Sequence, residues 1–190
     1  PLWSGLKSSG QARDNARTVQ NPAPTGRYPR MGGTPTAFMA RSMASRGSSA
    51  PFDMIEHCRS IGLGGVQMNP PSTDPEEIKK FRQRLENYGM HLVCDPRLPR
   101  QESDIPAFDA QVKSFREAGA AAFHAAMTGR RYEDFDRLEP FKQMFEQCQR
   151  QVELAEPILR KHKIRLGIEN HKGWRSGEQV AWLKRLGSEW

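Results

Sequence analysis

Cysteine is scarce: three residues in a chain of 190, Cys58, Cys94 and Cys148. An odd, scattered set with no CxxC spacing argues against a disulfide framework or a structural zinc site, and fits buried thiols in a reducing compartment. No apolar run approaches the roughly 18 residues that a membrane span needs, and no secretory hydrophobic segment is visible. The expected setting is therefore cytoplasmic with no membrane partner, an exported form requiring an N-terminal signal ahead of Pro1. The glycine-rich phosphate loop, the nucleophile elbow and the His-Glu-x-x-His helix are all missing. So is a G-x-G-x-x-G after a first strand, which leaves a dinucleotide-binding sheet with little support.

An excess of acid is also lacking; the net charge is +7. That value suggests nucleic acid until it is divided along the chain. Residues 1–50 hold seven Lys/Arg against one Asp, whereas the remainder holds 22 Lys/Arg against 21 Asp/Glu. The body is nearly balanced, so a nucleic-acid partner is not expected. Residues 1–33, rich in Ser, Gly, Pro, Asn and Arg, read as a disordered or loosely attached basic segment.

What is present is a rhythm. With 36% hydrophobic residues, the chain can bury one domain core. Residues 36–40 are expected as a first short strand. Residues 51–61 carry Phe52, Ile55 and Cys58 at helical spacing, and residues 63–68 read as a strand. Asp74, Pro75 and Glu77 mark a helix start, with Ile78, Phe81, Leu85 and Tyr88 on one face. Residues 91–95 form the next strand candidate. A helix from about Pro106 then leads into the alanine-rich run 120–125, taken as a strand from its place in the rhythm. A long helix spans about 139–161 and contains Pro157, which should kink it. Residues 164–168 make a fifth strand. Ser176 with Gln179 is expected to form a capping box opening a last helix.

Strand and helix thus alternate about five times, with short apolar strands suited to a parallel sheet. The expected fold is α/β, a (β/α)₈ TIM-barrel type of which residues 34–190 supply the N-terminal part. A full barrel needs eight such units in roughly 250 residues. The chain stops where a sixth strand would begin, so an incomplete barrel with an open edge after strand five is expected.

In such a barrel the C-terminal strand ends build the site. They hold Gln67 and Asn69, Asp95 and Arg97, His124, then Glu169, Asn170 and His171. Glu169 follows Leu166-Gly167-Ile168 directly, and a carboxylate there needs a metal, a cation or hydrogen-bond donors. His124 is either a hydrogen-bonded rim residue or a functional imidazole. His171, two residues beyond Glu169, shares its side if the strand continues that far. Asn69 is either a substrate-contacting amide or a turn former. Arg130, Arg131, Tyr132 and Glu133 form a charged loop that either holds an anionic or hydroxyl-rich ligand or is simply solvated.

The segment LGIENHKGW (166–174), with FDMIEHCRSIGLGGVQMN (52–69), STDPEEIKKFRQRLENYGM (72–90) and GRRYEDF (129–135), resembles the sugar phosphate isomerase/epimerase family of xylose isomerase-like TIM barrels. The resemblance implies a metal-dependent isomerase or epimerase acting on a small-molecule sugar through proton transfer and an enediolate, either as a monomer or as an oligomer. It implies a divalent cation (Mn²⁺, Mg²⁺, Co²⁺ or Zn²⁺) with Glu169 as ligand and catalytic residue. Asn69, His124 and His171 would meet the substrate. The family's further ligands, an Asp, a His and a second Glu, come from later strands, so this segment alone is expected to be inactive. Two competing readings are an endonuclease IV-like hydrolase, which needs more histidines at strand ends, and a non-catalytic or degenerate barrel that only binds.

Overall fold

A computed structural model describes residues 27–126, 130–171, 173 and 175–190. Five parallel strands, β1 (Tyr28–Gly33), β2 (Leu63–Gln67), β3 (His91–Cys94), β4 (Ala120–Ala126) and β5 (Leu166–Glu169), lie side by side in sequence order. The helices α1 (Met39–Ala44), α2 (Met54–Ser60), α3 (Pro75–Asn87), α4 (Ile105–Glu117), α5 (Arg131–Asp134), α6 (Leu138–His162) and α7 (Ser176–Leu186) fall in the connections. Five parallel strands in sequence order with helical crossovers make the curled half-barrel expected from the rhythm.

The first strand is not where the apolar pattern put it. Residues 36–40 form a turn running into α1, and the strand is Tyr28–Gly33, inside the segment expected to be loosely attached. The physical reason lies in its position. As an edge strand it is exposed through its first five residues, so it carries no apolar signature, and its proline is tolerated only at an edge. The apolar residue expected in the strand, Phe38, instead packs on Phe52 and His57, with ring centroids 5.9 and 4.8 Å away. A Cβ on Gly33 would stand 2.4 Å from Cys58 Sγ and 2.6 Å from the Phe38 ring. This close approach of backbone and side chain requires glycine. The rest of the basic segment, residues 1–26, lies outside the described residues.

The other elements follow local chemistry. Asp74 Oδ1 accepts from Glu76 N and Glu77 N at 3.0 and 3.1 Å, and Pro75 opens α3. Ile78, Phe81 and Leu85 on this helix are buried. α6 runs through Pro157 to His162 and ends on Lys163 in the left-handed region. α7 starts differently from expectation. Arg175 is its N-cap, and Glu178 Oε2 accepts the Arg175 N–H at 3.1 Å. Gln179 is diverted from capping: its Nε2 donates to Ile168 O at 2.9 Å, tying α7 to β5.

The core lies between the sheet's outer face and the helices. Val66, Leu92, Cys94 and Phe123 project there from β2, β3 and β4, and each is at most 1% exposed. They meet Val112 and Phe115 of α4 and Val152 and Leu159 of α6. Alternation then sends Gln67, Asp95, His124 and Glu169 to the concave face.

Two predictions arise here. The three thiols are buried. Burial, with the nearby Asp95 charge, pushes Cys94 up to about 12, and burial pushes Cys148 up to about 11 and raises Cys58. Since the thiolate is the reactive species, none should be alkylated by iodoacetamide near neutral pH until urea unfolds the chain, as read by mass spectrometry.

The second concerns a latch between α4 and α6. Lys161 Nζ donates to Asp109 Oδ2 at 2.7 Å, and His162 Nε2 lies 2.5 Å from Asp109 Oδ1. The Lys161 hydrogen bond, then that of His162, holds the Asp109 carboxyl below its usual range. With the folded pKa below the unfolded one, the latch stabilises fully above the unfolded value of about 3.9. It is lost as pH falls through the folded value. Asp109→Asn should therefore cost about 1 kcal/mol at neutral pH and nothing in strong acid, checked by urea titrations at both.

Candidate functional site

Three adjacent strand ends place their polar side chains in one hydrogen-bonded series. Asp95, immediately after β3, puts Oδ1 2.7 Å from His124 Nδ1. His124 stands within β4, and its other nitrogen, Nε2, lies 3.2 Å from Glu169 Oε2 at the end of β5. Register explains the reach. His124 pairs with Gly167 and Ala126 with Glu169, so Glu169 lies one pleat above His124 on the same face. Glycine at 167 leaves no side chain directly opposite the imidazole.

Gln67, the last residue of β2, joins the cluster. Its Nε2 donates to Asp95 Oδ1 at 2.9 Å and sits 3.0 Å from His124 Nδ1. Asn69 stands behind them. Its Oδ1 accepts from Asp95 N at 2.8 Å, and its Nδ2 donates to Asp95 O at 2.9 Å. The amide of Asn69 thus clamps the backbone of Asp95. His124 is 28% exposed at its side chain, against 42% for Asp95 and 45% for Glu169. The imidazole is sheltered while the two carboxylates reach solvent.

These groups form one wall of an open cavity of about 860 Å³ at the C-terminal ends of the strands. His171 lines it together with Glu169, although β5 ends at Glu169 and strand alternation does not extend to residue 171. The structure therefore brings His124, Glu169 and His171 together; Asn69 it places one layer behind, on Asp95. Arg130 lies elsewhere, its N–H donating to Asp134 Oδ2 at 2.7 Å and its guanidinium 4.0 Å from Glu133. Lys172 and Trp174 of the KGW segment lie outside the described residues. Thr34 and Thr36 also line the cavity. They escaped notice because they follow the strand that the apolar pattern misplaced. Gly32-Gly33 just before Thr34 was the available signal, a glycine pair that closes β1.

The expected divalent cation can be tested against this donor set. Among the described residues, no three His, Cys, Asp or Glu side chains gather as an ion's ligands. The reason is geometric. Asp95 and Glu169 lie on opposite nitrogens of one imidazole, each aimed at the ring rather than at a shared point. Hard cations want several oxygens on one centre, and these residues do not fit that arrangement. Among the described residues no helix is long and apolar enough to cross a membrane.

Comparison with known proteins agrees on architecture. No protein-family model and no curated protein matches the chain. Among solved structures, it is similar to a D-psicose 3-epimerase crystallised in the presence of D-fructose, with TM-score 0.55 and 14% identity over 71% of this chain. It is similar to a xylose isomerase domain protein from Planctomyces limnophilus (0.53, 9%, 74%) and to an L-ribulose 3-epimerase (0.52, 11%, 72%). It spans 54%, 56% and 51% of those chains, about half of each. At these identities the likeness fixes the fold, a partial TIM barrel of the kind found in sugar epimerases and xylose isomerase-like proteins.

Proposed function

We infer that these residues form the base side of a sugar isomerase or epimerase, and that Glu169 is the group that removes the proton. The observation that carries this reading is the hydrogen-bonded series Asp95, His124 and Glu169 on the wall of a roomy polar cavity. A cavity of this size admits a monosaccharide with water to spare. The likeness to two sugar epimerases points to the substrate class.

The reaction asks for little else on this side. A hydrogen on the carbon next to a sugar carbonyl is acidic only if a base takes it as the electron pair moves to the carbonyl oxygen. The C–H bond breaks, the proton joins a Glu169 carboxylate oxygen, and an enediolate forms. Glu169 Oε2 already faces His124 Nε2, so the proton can pass to the imidazole. Asp95, on the far nitrogen, stabilises the imidazolium that results. This is the logic of a carboxylate-backed histidine, with a carboxylate base in the place of the nucleophile. Returning the proton to the same face restores the starting sugar or, at the neighbouring carbon, gives the isomer. Return to the opposite face requires a second acid and gives the epimer. His171, Thr34 and Thr36 line the same cavity, and in this reading they hold sugar hydroxyls.

The test is hydrogen exchange at carbon. The full-length protein is incubated in D₂O with a panel of ketoses and aldoses, and NMR follows deuterium at the carbon next to the carbonyl. Wash-in with at least one sugar is expected. Binding of a sugar without any exchange would replace this reading with that of a binding protein, and neither binding nor exchange across the panel would end it.

A further inference from the structure

We propose that Asp95 is a positioning residue that fixes both the tautomer and the plane of His124. Its consequence for turnover rests on Glu169 being the base, but the assignment stands on geometry that can be measured without turnover. His124 stands between two carboxylates, and a neutral ring can donate to only one of them; the Asp95 contact, 2.7 Å against 3.2 Å for Glu169, is the shorter and takes the hydrogen. Nδ1–H therefore donates to Asp95. Gln67 Nε2, also a donor, uses the same oxygen at 2.9 Å. Its 3.0 Å separation from Nδ1 is then a contact between two donors sharing one acceptor.

Asp95 is well anchored for this task. The reciprocal clamp from Asn69 fixes its N–H and C=O. Cys94 before it is fully buried, and Pro96 after it restricts its backbone. Three strands thus contribute to one outcome: with Nδ1–H committed, Nε2 of the neutral ring presents its lone pair to Glu169 Oε2. That is the tautomer able to receive a proton from Glu169. The other tautomer would aim an N–H at the base and leave the proton nowhere to go. Tautomer selection by a carboxylate behind a histidine is a known lever on rate. Here it assigns to Asp95 and Gln67 a role that neither residue type announces.

The experiment reads the tautomer directly. Long-range ¹H–¹⁵N correlation spectra of the full-length protein are recorded where free imidazole is neutral, with His124 assigned by comparison with His124→Gln. The wild-type ring should show the Nδ1–H pattern. Asp95→Asn, nearly isosteric, and Asp95→Ala should shift it to Nε2–H or to a mixture. In the exchange assay Asp95→Asn should lower kcat by about 10²-fold or more while leaving KM within a few-fold. A wild-type Nε2–H pattern overturns the assignment on its own, whatever the variants do, and so does an unchanged Nδ1–H pattern in folded Asp95→Asn. If the Nδ1–H pattern appears but no sugar exchanges, Asp95 keeps its role and the base reading fails. Exchange with an Nε2–H ring removes Asp95 alone.

Discussion

Glu169→Gln is expected to reduce deuterium wash-in by about 10²–10⁴-fold with little change in KM. The amide keeps the size of the side chain and can still meet His124 Nε2, but it cannot accept a proton from carbon. An interaction needed only as the C–H bond breaks is lost from kcat, not from binding. Stability should not follow, because the Glu169 side chain is 45% exposed and ends an edge strand. The thermal midpoint of the variant should match that of the parent. A variant that exchanges at the parental rate would remove Glu169 from the chemistry and direct attention to His171 on the same wall.

Phe123→Ala is expected to cost about 3–5 kcal/mol, since this is the largest of the described side chains that are less than 2% exposed. The ring is 1% exposed, and it meets Phe115 of α4 edge to face, with centroids 5.9 Å apart at 80°. It lies where β4, between β3 and β5, is covered by helices, so neighbours cannot collapse into the space without moving the sheet. Against the total of about 5–15 kcal/mol that holds a domain together, the loss is severe. Urea unfolding followed by far-UV circular dichroism should show a midpoint lower by about 1–5 M, given slopes of about 1–3 kcal/mol per M. A loss below about 1 kcal/mol would mean that the ring is not enclosed as described. Because Phe123 precedes His124, the variant should also blur the His124 ring signals.

The fold was legible wherever an element buried one face. Ile78, Phe81 and Leu85 announce α3 by spacing, and Asp74-Pro75 announce its start, because burial and capping both act locally on sequence. β1 was not legible, since an exposed edge strand with a proline and two glycines has no face to bury. The α7 start was misread because the side chain of Gln179 had a better partner in β5 than in its own first turn. The site shows the same division. Glu169 and His171 stand out because a polar cluster ends an apolar run. Asp95 and Gln67 were visible only as strand-end residues. Their meaning comes from three strands that converge over gaps of 28 and 57 residues, and no local pattern encodes that. Asn69 reads as a turn former or a ligand group in sequence, and the reciprocal clamp on Asp95 is a third use that only the β2–β3 neighbourhood creates.

The proline in β1 also governs what can come alongside the sheet. Tyr28 N donates to Gly62 O at 2.8 Å, and the register of β1 on β2 then breaks between Tyr28 and Gly32. Pro29 sits inside that break and has no hydrogen to offer. An irregular margin that carries a proline is a poor template for an added strand. β5 (Leu166–Glu169) has no proline and pairs with β4 in unbroken register. The two margins of the half-barrel are therefore unequal, and β5 is the more permissive one.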